Sequence, residues 1–157
     1  MRNERTFTAN SNPSARRRII AATLITLLAI IYGVISPLHD IGDSHLENSL
    51  WPGHARMHLA WLLIHNLLIA ALAIGLAWWP GRRQTQRQLF AATISMLPFL
   101  SFVAASLLIP LFGGTFSDGS AEDVREAADN VRSFSMVLPI SLVLFVWCWR
   151  GALKSEG

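Results

Sequence analysis

From Leu59 to Trp79 the chain offers only His65 and Asn66 as strongly polar side chains. A helix of about 20 apolar residues, rising 1.5 Å each, crosses the ~30 Å hydrocarbon layer of a bilayer. Few folds suit such a run, because lipid supplies no hydrogen-bond partners for a backbone outside a helix or closed barrel. Three similar blocks accompany it. The first spans about Ile19 to Ser36 and is closed by Pro37. The third runs from about Leu89 to Phe112, with Pro98 expected to kink it and Ser95 or Ser101 to satisfy freed backbone groups. The fourth runs from about Ser133 to Trp149, with Pro139 inside it. The second block begins near Pro52, which suits a first helical turn, and ends at Trp78-Trp79-Pro80-Gly81. The expectation is an all-α integral membrane four-helix bundle in up-down order, with four spans and both termini cytoplasmic.

Three regions follow from this reading: a flexible basic cytoplasmic tail at 1–18, a four-span membrane domain at 19–150, and a short cytoplasmic tail at 151–157. A signal peptide is not favoured, since no small-residue cleavage site stands out after the basic residues. The charges set the orientation. The N-terminal tail, the 80–88 loop and the C-terminus hold ten of the thirteen Lys and Arg. The two other loops hold Arg56, Arg125 and Arg132, and eight of the ten acids. Cytoplasmic loops are enriched in Lys and Arg, so the acidic loops face outward. The location expected is a cell membrane; in a bacterium it is the inner membrane, with the histidine-rich loop toward the periplasm. The net charge of +3 is thus explained by topology, and a nucleic-acid partner is not expected. Cys148, the single cysteine, sits between Trp147 and Trp149 and reads as a packed thiol.

All five histidines fall between His39 and His65. At 100° per residue, His54, His58, Trp61 and His65 lie at roughly 0°, 40°, −20° and 20°, one stripe of the second span. Asp40, Asp43 and Glu47 are interleaved with the earlier histidines, and Ser44 with Glu47 has the spacing of a capping box that starts a short interfacial helix. Imidazole and carboxylate together suit a divalent transition metal, Zn, Fe or Cu. His54 and His58 are four apart, the spacing by which one helix face offers two ligands. His45 and Asp43 are the expected further ligands. His65 lies about 10 Å deeper along the axis and is expected to move protons rather than share that ion. Arg56 is expected to orient a polar head group or pair with Asp43 or Glu47, and Glu47 to assist acid–base chemistry. Interfacial helix ends also carry His, Trp and Arg simply because they tolerate water, which is the competing structural account.

The function expected is a small membrane enzyme acting at the outer interface on a lipophilic small molecule, by oxidation or isomerisation. The alternative is a non-enzymatic accessory subunit, or a transport or metal-capture component, within a homo-oligomer or larger membrane complex. Membrane lipid is a partner in either case. His54-x-x-x-His58 resembles one histidine box of the membrane di-iron hydroxylases and desaturases. Those enzymes carry several boxes, and no His-x-x-His-His occurs here, so the family is not assigned. Bis-histidine haem ligation is not expected, because the other three spans contain no histidine.

Overall fold

A computed structural model describes residues 13–43, 45–116 and 121–156. The basic side chains Arg2 and Arg5, the capping residue Ser44 and the acid Asp118 lie outside the described residues. The described chain is helical, with turns between the helices and no strand. Its elements are α1 (Pro13–Ile30), a π-helical segment (Ile31–Ile35), α2 (Ser36–Asp40), α3 (Gly53–Trp78), α4 (Gln84–Phe112) and α5 (Ala121–Glu156). Four stretches are long and apolar enough to cross a membrane: Ser14–Asp40, Gly53–Trp78, Gln84–Phe112 and Val131–Lys154.

The first span differs from its expected limits at both ends. The helix starts at Pro13, so Arg16, Arg17 and Arg18 stand on its opening turns rather than on a flexible tail. Nor does it stop at Pro37. A proline ring in a regular helix collides with the carbonyl four residues back, here that of Gly33. The turn instead widens, with the Ser36 N–H donating to the Ile31 carbonyl, and the helix continues to Asp40. α4 likewise passes through Pro98 and Pro110, and α5 through Pro139. Gly113 closes α4 at φ 70°, the left-handed position where a side chain is strained. The polar segment from Ala121 runs without a break into the fourth span, and α5 ends only at Glu156.

The helices pack on small residues. Ala21, Ala22 and Ala29 of α1, Ala70, Ala73 and Ala77 of α3, and Ala91 and Ala92 of α4 are all buried. Lipid tails are as apolar as leucine, so membrane helices gain by close backbone approach more than by burying bulk. The closest seam is at Gly33, where an added Cβ would fall 2.3 Å from the Ala70 Cβ. Tyr32, Ile25 and Phe99 fill the wider centre, with the Tyr32 and Phe99 rings edge to face at 6.0 Å. The large aliphatics point outward instead, among them Leu68, Leu72, Leu107 and Val143. Such an apolar exterior is untenable in water and ordinary in lipid.

One end of the bundle is basic and closely tied. The Gln88 Nε2 donates to the Arg18 carbonyl at 2.8 Å and to the Ala77 carbonyl at 3.1 Å, joining α4 to α1 and α3. The Trp78 indole donates to Thr26 Oγ1 at 2.9 Å, and Arg87 donates to the carbonyls of Trp79 and Pro80. Arg17 donates to the Trp147 carbonyl and lies over that ring, 5.3 Å from its centroid. The opposite end holds the histidines.

Candidate functional site

α3 opens at Pro52, whose carbonyl accepts the Arg56 N–H at 3.2 Å. Its first two turns carry the expected stripe. The Nε2 atoms of His54 and His58 are 3.0 Å apart, and their rings stand nearly perpendicular at a centroid distance of 4.4 Å. Trp61 continues the row, 6.0 Å from His58. All three side chains are exposed.

The segment between Asp40 and Pro52 is built of turns. Glu47 N–H and His45 N–H both donate to the Gly42 carbonyl, and Asn48 Oδ1 accepts the Leu50 N–H at 2.9 Å. His45 packs edge to face on Trp51 at 5.7 Å. Asp43 and Glu47 are exposed. The structure therefore brings together two of the four expected ligands, His54 and His58. Among the described residues no group of three or more His, Cys, Asp or Glu side chains is gathered to hold a metal. Arg56 is half-buried, and its Nε is buried with no hydrogen-bond partner; among the described residues it pairs with neither Asp43 nor Glu47.

His65, also exposed, continues the row one turn below Trp61 and there lines a cavity of about 470 Å³ between the first span, α3 and α4. Tyr32, Ser36 and Asp40 come from the first span, His65 and Asn66 from α3, and Ser101 from α4. The remaining wall is apolar, including Leu62, Ile69, Pro98 and Phe102. A cavity of 300–1,000 Å³, mostly apolar with a few convergent polar groups, is the usual form of a small-molecule site. The Tyr32 hydroxyl also lies 3.5 Å from the buried Ser95 hydroxyl. Ser95 thus meets a side chain from the first span, not the backbone freed by Pro98. Asp40 lies within electrostatic range of His39 and His45, which connects the cavity to the turn segment above it.

Tyr32, Ser36 and Asp40 were not anticipated as one set, yet they are four residues apart and share a face. Treating Pro37 as the end of the span hid that face. An i, i+4, i+8 row of polar side chains running across a proline was the available signal. Chemically the cavity offers a carboxyl, an imidazole, a phenol and an amide at the edge of a hydrocarbon layer, a set fit to hold a polar group and move protons. No family model, curated protein or solved structure matches the chain.

Proposed function

We propose that the protein is a small multi-pass membrane enzyme that moves protons on a lipophilic substrate, an isomerisation carried out in the cavity between the first span, α3 and α4. The observation that carries this reading is the concentration of Asp40, His65, Tyr32 and Asn66 in one recess whose remaining wall is apolar. Ionisable side chains are expensive inside a membrane and mark working sites. Asp40 takes a proton from one carbon of the substrate, and His65 returns one to another carbon as the double bond shifts. Nothing is lost or gained overall, so no further reactant is needed. Tyr32 and Asn66 hold the polar end of the substrate, and the apolar wall holds its chain. Arg56 and Glu47, on the approach above, meet a charged head group. The spans run up and down with both termini cytoplasmic, as the clustering of Lys and Arg at the 13–18, 80–88 and 150–154 segments supports. The cavity then opens near the outer face of a cell membrane.

The experiment uses purified protein in D₂O with a total membrane lipid extract. The expected result is protein-dependent incorporation of deuterium at carbon, read by mass spectrometry. It is lost in Asp40→Asn and His65→Gln and kept in His54→Ala/His58→Ala. Incorporation equal in Asp40→Asn, His65→Gln and the parent protein refutes the reading.

A second reading, metal capture at the outer rim, is favoured by one observation. Nitrogens bound to one tetrahedral Zn²⁺ at ~2.0–2.1 Å lie about 3.3 Å apart. The His54 and His58 Nε2 atoms are at 3.0 Å already. His45, Asp43, water or a second copy of the chain would complete the set, and the protein would serve as an accessory or transport component. Metal analysis decides it: near one equivalent of Zn, Fe or Cu, lost in His54→Ala/His58→Ala, supports capture, and a metal-free protein refutes it.

A further inference from the structure

The bundle carries a second recess, between a different pair of helices and nearer the basic end than the cavity just described. α1 and α5 leave between them a groove of about 690 Å³ with an almost wholly hydrocarbon lining, including Leu24, Leu27, Ile140 and Val143. On the first span it extends from Ile20 to Ile31. Eleven steps of 1.5 Å cover about 16 Å, the depth of one leaflet of a ~30 Å hydrocarbon core. Its basic end is marked by Trp147.

The same Trp147 lines a separate cavity of about 270 Å³, where Arg17, Arg18, Lys154, Ser14 and Thr85 converge. Arg17 is held in place there. It donates to the Trp147 carbonyl and stacks on the Trp147 ring, while Gly151 leaves the room it occupies. A Cβ on Gly151 would fall 2.6 Å from the Arg17 Nη2. The guanidinium has five donors and uses one on Trp147, so its fork remains available for a phosphate. Among the described residues no carboxylate lines this cavity.

An apolar channel one leaflet deep therefore meets a three-cation cavity across one tryptophan. We propose that this pair of recesses binds an anionic phospholipid of the leaflet at the basic end of the bundle. The acyl chain lies between α1 and α5, and the phosphodiester rests on Arg17, Arg18 and Lys154. The charge of the head cavity selects an anionic over a zwitterionic head group, and the length of the groove selects a lipid over a free anion. The site is independent of the proton-transfer cavity, and Asp40→Asn leaves it intact.

The test is native mass spectrometry of the protein in non-ionic detergent, titrated separately with phosphatidylglycerol, phosphatidylcholine of the same chains, and glycerol phosphate. The expected result is one phosphatidylglycerol retained in clear preference to the other two. Arg18→Gln/Lys154→Gln weakens that retention roughly 10- to 30-fold, the loss expected for two basic contacts to an anionic lipid. Val143→Trp, at a position 70% exposed and so able to accept the larger ring, fills the groove and weakens retention without altering the preference between heads. Melting temperatures of both variants close to that of the parent confirm that they fold. Equal retention of the two lipids overturns the proposal. So does glycerol phosphate binding as tightly as the lipid, which marks a site for a free anion. A dimer in the parent protein that Val143→Trp turns into a monomer also overturns it, by showing that a second copy closes the groove.

Discussion

The basic end of the bundle is tied and the histidine end is open. At the basic end, side chains of α1, α3 and α4 reach across to neighbouring helices: Gln88 bonds two of them, Trp78 reaches Thr26, and Arg17 seats on Trp147 of α5. At the histidine end the short contact between imidazoles, His54 to His58, stays within one helix, and a cavity of about 470 Å³ separates the spans. At Gly33 and Ala70 the first span and α3 approach closely. At the first end Gln88, Arg87 and Arg17 tie the helices through backbone carbonyls, whereas at the second Asp40, His65 and Asn66 line the cavity. The difference teaches that polar side chains in this apolar bundle are segregated into cross-helix ties at one end and a cavity lining at the other. Substitutions at one end are expected to cost stability, and at the other to cost activity.

The largest expected effect breaks the comparison if it fails. Asp40→Asn should lower proton exchange by about 10²–10⁴-fold, equivalent to ~3–5 kcal/mol in the barrier, with the melting temperature little changed. Rate and melting measured on one preparation check it. Gln88→Leu should do the reverse. It leaves the Arg18 and Ala77 carbonyls without their buried donor and should cost about 2–4 kcal/mol in denaturant unfolding, with exchange retained in the folded fraction. Gly33→Ala sharpens the boundary between the ends. Its methyl group must push α3 away from the π-helical segment, and overpacking of this kind costs about 1–3 kcal/mol, read as a lowered melting temperature. Trp78→Phe removes one exposed bond to Thr26 and should cost about 1 kcal/mol in the same assay. His54→Ala/His58→Ala should change stability by less than about 0.5 kcal/mol, because both rings are exposed. A cost at this pair as large as that of Gln88→Leu would remove the distinction between the ends.

Much of this arrangement was legible in the chain, and for a physical reason. Spans declare themselves through hydrocarbon length, a property of composition that needs no knowledge of neighbours. All four were found, with Gly113 correctly closing the third. The pairing of His54 with His58 was legible too, since a helix alone fixes side chains four apart. What lay beyond reach depended on the rest of the fold. Whether His45 and Asp43 close over that pair depends on the path of turns 41–51, and no periodicity encodes such a path. Pro37 misled for a subtler reason. In a soluble helix a proline ends or bends the backbone, but this span absorbs it by widening a turn at Ile31–Ile35. That single accommodation carries Asp40 down to the cavity wall and puts it on one face with Tyr32 and Ser36. The proposed site accordingly centres on the recess beneath the exposed histidine pair.

The contrast between a tied end and an open one can be read with thiols. Cys148, the single native cysteine, is buried at the basic end, and Ser36→Cys in a Cys148→Ala background places a thiol in the cavity wall. A membrane-impermeant maleimide is applied to intact cells or right-side-out vesicles. The account predicts that Ser36→Cys is labelled from the outer side and slowed by added lipophilic substrate extract, while native Cys148 stays unlabelled until the protein is denatured. Labelling of Cys148 with Ser36→Cys protected would contradict it.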